Sequence, residues 1–119
     1  MKRKTVNGMI IIGLTESVTL IPKQGKEEHV IAKIDTGATK SSIDMSLAKK
    51  LKLGPVITSK LVKSAHGNQL RPIIEAVIEI AGRKMKSEFT LADRAHMRYR
   101  VLIGVNLLEN GFLVDPSHK

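Results

Sequence analysis

The sequence predicts an all-β domain, a barrel or a sandwich, with one or two short helices. Short apolar segments recur along the 119 residues at regular spacing, separated by turn residues such as Gly, Pro, Asn and Asp. Many short strands with few helical segments are typical of closed barrels and sandwiches. Apolar and polar residues alternate most clearly over residues 71–81. The predicted strands cover residues 8–13, 17–21, 29–34, 41–43, 57–63, 71–81, 85–91, 101–104 and 112–115.

Two segments carry a helical pattern instead. Residues 45–53 place three apolar side chains on one stripe. Asp44 precedes them as an N-cap, because its carboxylate can accept a hydrogen bond from a backbone N–H of the first turn. Gly54 and Pro55 follow and end the helix. The second helix, of one or two turns, covers residues 105–111.

Asp35 is the most informative residue, because an apolar strand leads directly into the turn Asp35-Thr36-Gly37. Hydrolysing a peptide bond with carboxylates alone needs two of them, one acting as base on water and the other as acid. Two carboxylates about 3 Å apart cannot both ionise, so their pKa values separate and the roles divide. Asp-Thr-Gly occurs once in the chain. The motif therefore leaves two possibilities: a symmetric dimer with one Asp35 from each subunit, or a protein that is not a peptidase.

Composition and charge limit the other classes of function. The net charge of +9 and the pI of about 10.1 suit an acidic substrate or partner. Lys and Arg are scattered along the chain, and three aromatic residues are too few for a base-stacking platform, so we expect no specific nucleic-acid binding. The chain has no cysteine, and the apolar run over residues 9–12 is too short for a signal peptide or a membrane span. We therefore expect a cytoplasmic protein without membrane contact.

The order of the motifs resembles the single-lobe plan of the retroviral-type aspartic peptidases. From about residue 8 to 115, Asp-Thr-Gly-Ala is followed by an extended stretch, a hairpin, an apolar-apolar-Gly segment, a short helix and a last strand. The chain more closely resembles the retropepsin-like proteins of bacteria and archaea that are often labelled ATP-dependent zinc proteases and occur near ATP-grasp ligases of the RimK type. The matching segments are residues 33–38, 71–75, 91–94, 97–99, 101–104 and 112–117.

This resemblance implies a closed retropepsin-like barrel formed by residues 1–119 as one domain. Asp35 would be the catalytic carboxylate of each subunit of a homodimer that acts on a peptide or protein substrate. The resemblance also implies that Thr36 braces the pair of carboxylates across the dimer axis and that Gly37 and Ala38 form the floor of the loop. The residues that would support this pair from behind are Leu102, Ile103 and Gly104. The tip of the flap, the hairpin over the substrate, would consist of Ala65, His66, Gly67 and Asn68.

We expect neither a metal nor a cofactor. The four histidines, His29, His66, His96 and His118, are isolated, and no His-Glu-x-x-His motif provides a pair of zinc ligands. The chain also lacks a Gly-x-x-x-x-Gly-Lys-Ser/Thr phosphate loop, so any ATP requirement would come from a partner such as an ATP-grasp ligase. Water attack would then proceed by general acid–base catalysis.

Three classes of function stay open. The first is a homodimeric aspartic endopeptidase centred on Asp35. The second is a retropepsin-fold module that binds peptides or partners, or assembles oligomers, without turnover. Val105 favours this second class, because it stands where the retroviral enzymes have an Arg that helps to hold the dimer together. The third is a basic domain that acts on nucleic acid or an acidic partner, and only the net charge supports it.

Overall fold

The computed structural model describes residues 3–65 and 67–118, and these contain ten strands and two helices. The strands are β1 (Thr5–Val6), β2 (Met9–Ile12), β3 (Thr15–Ile21), β4 (Glu28–Ile34), β5 (Ser41–Asp44), β6 (Val56–Ser64), β7 (Gly67–Ile80), β8 (Arg83–Ala92), β9 (Val101–Ile103) and β10 (Phe112–Val114). The helices are α1 (Met45–Leu51) and α2 (Val105–Leu108). Within the described residues, no helix has the length and apolar character needed to cross a membrane.

Six strands close into a barrel. Their order is β3-β4-β9-β5-β8-β7, and β7 pairs back onto β3, with Ile80 opposite Val18. Outside this ring, β6 continues the sheet as the hairpin partner of β7, and β1, β2 and β10 form a separate three-stranded sheet. The closed barrel with two short helices confirms the predicted fold class.

Two parallel strand pairs determine which loops meet at the end of the barrel. β4 runs parallel to β9, with Ile34 opposite Ile103, and β5 runs parallel to β8. Parallel neighbours end at the same edge of a sheet. The loop after β4, which begins at Asp35, therefore leaves the barrel beside the loop after β9, which begins at Gly104.

The core of the barrel consists of aliphatic side chains around Phe89, which is fully buried. The predicted alternation along β7 is confirmed. Its buried residues are Ile74, Ala76, Ile78 and Ile80. Helix α1 contributes Leu47 and Ala48 to the same core, and Asp44 caps this helix as predicted. Each large aliphatic side chain buried in this way stabilises the fold by about 1.5–3 kcal/mol.

β6 and β7 form a hairpin that extends beyond the barrel. β7 pairs with β8 over Ile73–Ile80, whereas residues 67–72 pair with β6. Among the described residues, the outermost pair of the hairpin is Ser64 with Gly67. His66, which stands between them in the sequence, lies outside the described residues.

The turn predicted over residues 64–68 was too wide, because Ser64 belongs to β6, and the strand predicted from residue 71 starts earlier, at Gly67. Gly67 and Asn68 already belong to β7. Residues 67–70 are all exposed, so no alternation of apolar and polar side chains marks this part of the strand. Gly67 has a φ of +110°, which glycine adopts far more readily than other residues.

Other boundaries differ from the prediction by a few residues. α1 ends at Leu51, two residues early, because Lys52 turns into the left-handed region with a φ of 54°. α2 ends at Leu108, before the predicted end at residue 111. β8 starts at Arg83, because the turn between β7 and β8 consists of Ala81 and Gly82, which both have positive φ.

Candidate active site

Asp35 lies in a tight turn at the end of β4. Its backbone N–H donates to the carbonyl oxygen of Ile103 at 2.9 Å, which ties the turn to β9. Its Oδ1 accepts a hydrogen bond from the N–H of Gly37 at 2.9 Å, and its carbonyl oxygen accepts one from the N–H of Ala38 at 3.3 Å. Asp35 is half-buried, while Thr36 and Gly37 are exposed. The carboxylate is thus fixed by its own turn at the surface of the barrel.

Gly104 brings the chain after β9 into direct contact with this turn. A Cβ atom at Gly104 would lie 2.6 Å from the carbonyl oxygen of Lys40 and 2.7 Å from that of Ala38, so a side chain does not fit. Ile103 is buried just before it, and Leu102 is half-buried. The apolar-apolar-Gly segment therefore lies directly behind the Asp35 loop.

Asn106 joins the loop to the rest of the barrel. Its Oδ1 accepts hydrogen bonds from the backbone N–H (2.9 Å) and the hydroxyl (2.8 Å) of Ser41, which is fully buried. The hydroxyl of Ser41 in turn accepts one from the N–H of Gly104 at 2.9 Å. On the other side, Nδ2 of Asn106 donates to the hydroxyl of Ser87 and the carbonyl oxygen of Glu88. This Asn106–Ser41 clamp fixes the two loops relative to each other.

Sequence reasoning did not find this clamp. Ser41 and Asn106 are 65 residues apart, and they were predicted only as members of an extended segment and of a short helix. The available signal was an uncharged polar residue between Val105 and Leu107, in a helix that is otherwise apolar. Buried polar groups are nearly always hydrogen-bonded, so a polar residue at such a position indicates a specific partner.

A cleft of about 440 Å³ opens beside the Asp35 loop. It lies between residues 37–42, the β6–β7 hairpin and the segment that follows β8. The lining includes Gly37, Ala38 and Leu102, and from the hairpin Lys60, Val62 and Arg71. The lining cations are Lys40, Lys60, Arg71 and Arg94, and the lining anion is Asp93. The excess of positive charge suits an anionic ligand.

Two of these cations lie directly opposite each other. Lys60 of β6 pairs with Arg71 of β7, and like charges in opposed positions destabilise a pair of strands. Over residues 3–65 and 67–118, no carboxylate forms an ion pair with either of them. This wall of the cleft therefore has positive charge that an anionic ligand would neutralise.

The predicted flap-tip residues lie at the outer end of the hairpin. Ala65, Gly67 and Asn68 are exposed, and the described lining of the cleft does not include them. His66 lies outside the described residues. Within the hairpin, the residues that line the cleft are found nearer to the barrel, and sequence reasoning did not single them out.

Asp44 is the centre of a buried polar network that includes Arg94, one of the residues that line the cleft. Its side chain is 1% exposed and accepts hydrogen bonds from Nη2 of Arg100 (2.6 Å), the N–H of Arg94 (2.9 Å), the N–H of Leu47 and the hydroxyl of Ser46. Burial alone would raise the pKa of Asp44, but these hydrogen bonds outweigh it and hold the pKa well below its usual range. Asp44 thus stays ionised in acid.

Metal-ligating side chains are dispersed. Throughout the described part of the chain, no three His, Cys, Asp or Glu residues lie close enough together to hold a metal ion.

The fold is that of the retropepsin-type proteases. The solution structure of the simian foamy virus (mac) protease superposes with a TM-score of 0.60, covering 80% of this chain and 91% of that one at 18% identity. The EIAV protease in complex with the inhibitor HBY-793 has a TM-score of 0.61, with 81% and 85% covered at 21% identity. A Legionella pneumophila protein of unknown function has a TM-score of 0.63, with 92% and 94% covered at 21% identity. At these identities the likeness concerns the fold alone.

The chain belongs to the RimB-like family. The sequence model of this family, described as "Retropepsin-like aspartic endopeptidase RimB", matches residues 46–119, which is more than half of the chain. The match includes the β6–β7 hairpin and the segment around Gly104, and it begins after the Asp35 turn. The predicted resemblance to the retropepsin-like proteins found near RimK-type ligases is confirmed.

Two curated relatives are named as ligases. The probable alpha-L-glutamate ligases of Shewanella pealeana and Shewanella halifaxensis are 38% and 40% identical to this chain over 63 residues. The matched residues are 52% of this chain and 14% of each ligase. The chain is therefore similar to one small part of these longer proteins.

Proposed function

We propose that this chain is an aspartic endopeptidase that works as a homodimer, with one Asp35 from each subunit. The observation that carries the proposal is the Asp35 turn: the N–H of Gly37 donates to the carboxylate, the N–H of Ala38 donates to the backbone carbonyl oxygen of Asp35, and Gly104 packs directly behind the loop. The exposed residues of this turn, Thr36 and Gly37, leave it free to meet a second copy of itself. Membership of the RimB-like family supports the same reaction.

The proposed reaction is peptide hydrolysis by general acid–base catalysis. The two carboxylates share one proton. The ionised Asp35 takes a proton from water as the water oxygen bonds to the scissile carbonyl carbon, while Asp35 of the partner subunit protonates the carbonyl oxygen. When the C–N bond of the tetrahedral intermediate breaks, the leaving nitrogen receives the proton that Asp35 took from water. Asp35 of the partner subunit takes back a proton from a hydroxyl of the intermediate, so that the new carboxyl product forms and the pair again shares one proton. Thr36 braces the pair across the dimer axis.

The β6–β7 hairpin is proposed as the flap over the substrate. Residues 67–72 pair with β6 and extend beyond the strand pairing of the barrel, so this part is the one most able to move. Lys60 and Arg71 already lie on the wall of the cleft. On closure, the tip around Ala65 and Gly67 would reach over the bound peptide.

An acidic peptide, rich in glutamate, is the substrate class that we favour. The cleft has four lining cations against one lining anion, and the chain has a net charge of +9. The relatives named as alpha-L-glutamate ligases support glutamate as the acidic residue and a functional link to an ATP-grasp ligase. Attraction between the basic cleft and an acidic peptide would speed their association, and this attraction would weaken as salt is added.

Cleavage of a peptide library that includes glutamate-rich members, from about pH 3 to about pH 8, tests this proposal. The wild type is compared with Asp35→Asn, and the products are read by mass spectrometry. Discrete cuts that disappear in Asp35→Asn support the peptidase, and the pH profile reports the coupled pKa values of the carboxylate pair. Cuts that survive in Asp35→Asn, or no cuts from a protein shown to be dimeric, contradict it.

Val105 favours a second candidate function, a binding or oligomerisation module without turnover. Val105 donates its backbone N–H to the carbonyl oxygen of Ala38 at 2.8 Å, but its side chain cannot form the ion pairs of the retroviral Arg. Under this alternative, acidic peptides bind with the same affinity to wild type and Asp35→Asn, and neither cleaves them.

A further inference from the structure

Arg94 differs from the other cations of the cleft because its position is fixed on two sides. Its backbone N–H donates to Oδ1 of Asp44 at 2.9 Å, and its Nε donates to the carbonyl oxygen of Tyr99 at 3.0 Å. No residue of the described chain accepts a hydrogen bond from its Nη atoms. Arg94 is half-buried and lines the cleft. Its outer nitrogens are therefore held in place and available to a ligand.

Asp44 fixes both ends of the segment that carries Arg94. At the start, its Oδ1 receives the N–H of Arg94. At the end, its Oδ2 accepts a hydrogen bond from Nη2 of Arg100 at 2.6 Å, and its own N–H donates to the carbonyl oxygen of Arg100 at 2.8 Å. Since Asp44 is also the last residue of β5 and the cap of α1, this network attaches the segment to the barrel.

The other lining cations lack such support. Lys40, Lys60 and Arg71 form no ion pair within the described residues, and Lys40 and Lys60 are exposed. Flexible exposed cations raise the local potential, but they do not require a particular ligand geometry. A guanidinium held in place can form two parallel hydrogen bonds with a carboxylate, which adds geometric selectivity to charge.

We propose that Arg94 is the specificity-determining residue of the cleft, binding the carboxylate of an acidic substrate side chain, and that Asp44 is the residue that positions it. This inference rests on the proposed function for the reaction, although the binding step can be tested without turnover. Two N–H donors held in place favour a glutamate side chain over a glutamine side chain. The carboxylate of glutamate can accept both charge-assisted hydrogen bonds, whereas the neutral carboxamide of glutamine cannot.

The test compares two peptides that differ by glutamate or glutamine at a single position near the cleavage site. For wild type, the ratio of kcat/KM for the glutamate peptide to that for the glutamine peptide is measured at each position in turn. At one position Arg94→Gln lowers this ratio about tenfold or more. Arg98→Gln is the matched control, because Arg98 is an exposed arginine of the same segment and does not line the cleft. An unchanged ratio in Arg94→Gln, or an equal loss in Arg98→Gln, overturns the proposal.

Two further variants separate positioning from general damage to the fold. Asp44→Asn keeps a residue that caps helices well but removes the charge that binds Arg100. It lowers the same ratio at the same peptide position as Arg94→Gln. Arg94→Lys keeps the positive charge but lacks the planar guanidinium that forms two parallel hydrogen bonds. Its glutamate-to-glutamine ratio should therefore lie between those of Arg94→Gln and the wild type. A ratio that stays at the wild-type value in Asp44→Asn contradicts the positioning role, and full rescue by lysine contradicts the two-bond geometry.

Binding measurements keep this inference separate from the proposed reaction. A fluorescently labelled glutamate-rich peptide is titrated with Asp35→Asn, and with Asp35→Asn combined with either Arg94→Gln or Arg98→Gln, and its anisotropy is followed. The Arg94 combination weakens binding about tenfold, and the Arg98 combination does not. If the wild type cleaves nothing while this pattern holds, the reaction fails and the binding site stands. If both combinations bind like Asp35→Asn, the Arg94 site is refuted whatever the wild type cleaves.

Discussion

At the scale of single residues, Gly104 shows how closely the two loops of the site approach each other. Because a Cβ atom there would contact backbone oxygens at 2.6 Å and 2.7 Å, the loop must move if any side chain is introduced. Gly104→Ala is expected to destabilise the fold by about 1–3 kcal/mol and to displace the Asp35 turn. Urea unfolding measures the loss. Gly54→Ala is the control, since the nearest atom to its added Cβ is 3.6 Å away. Equal losses of stability in the two variants would contradict a specific role for the close approach at Gly104.

Asn106 provides a second prediction at this scale. Asn106→Ala removes the acceptor of both polar groups of Ser41, which is fully buried, and unsatisfied buried groups cost about 1–3 kcal/mol. We expect a loss of this size in the free energy of unfolding, together with a reduction of the proposed peptidase activity. Asn68→Ala, at an exposed position of the hairpin, should leave stability unchanged. A clamp without structural importance would give both variants the stability of the wild type.

Asp44 makes the stability of the protein depend on pH. Burial favours the neutral carboxyl, but hydrogen bonds from Ser46, Arg100, Arg94 and Leu47 outweigh it and lower its pKa in the folded protein. The unfolded chain takes up the proton at a higher pH, about 3.9. The contribution of Asp44 is therefore complete above that pH and is lost as the pH falls towards the folded pKa.

The prediction concerns the difference in unfolding free energy between wild type and Asp44→Asn. Chemical denaturation should give a larger difference at about pH 7 than at about pH 3, because at the lower pH the unfolded wild-type chain takes up a proton at Asp44, which removes part of the advantage of the wild type. A difference of the same size at both pH values would mean that the charge of Asp44 does not stabilise the network.

At the scale of elements, the β6–β7 hairpin presents a pair of opposed cations to the cleft. Lys60→Glu converts the pair with Arg71 into an attractive one, so we expect the free energy of unfolding to rise by about 0.2–1 kcal/mol. The same change should weaken binding of an acidic peptide, because the wall loses positive charge. Lys63→Glu carries the same charge change at a position that does not line the cleft. If both variants weaken binding equally, net charge rather than this wall attracts the peptide.

The limits of sequence reasoning are also clearest in the hairpin and the helices. β7 was predictable from residue 71 onwards because its inner half alternates between the core and the surface. Its outer half has no buried face, so no periodic signal existed there. The N-cap of α1 was predictable from Asp44 alone, whereas the further partners of that carboxylate, Arg94 and Arg100, are 50 and 56 residues away. Local signals reveal a cap but not the network around it.

At the scale of the whole molecule, the barrel was predictable and its strand pairing was not. Nine apolar segments and the order of the motifs indicated the fold, but the parallel pairs β4–β9 and β5–β8 join segments far apart in the chain. Those pairs bring the Asp35 loop against Gly104. Leu102, Ile103 and Gly104 were named from the resemblance, and their support of a carboxylate pair stays a prediction. The basic cleft and the Asn106–Ser41 clamp depend on the three-dimensional arrangement, so the sequence did not reveal them.

The dimer is the central claim at this scale, because one subunit supplies one Asp35. Mixing wild type with Asp35→Asn, after subunit exchange, measures it most directly, with cleavage of a glutamate-rich peptide followed at constant total protein. If each active site needs an Asp35 from both subunits, activity falls with the square of the wild-type fraction, to about a quarter in an equal mixture. Activity that falls in simple proportion, to about a half, would contradict a shared site.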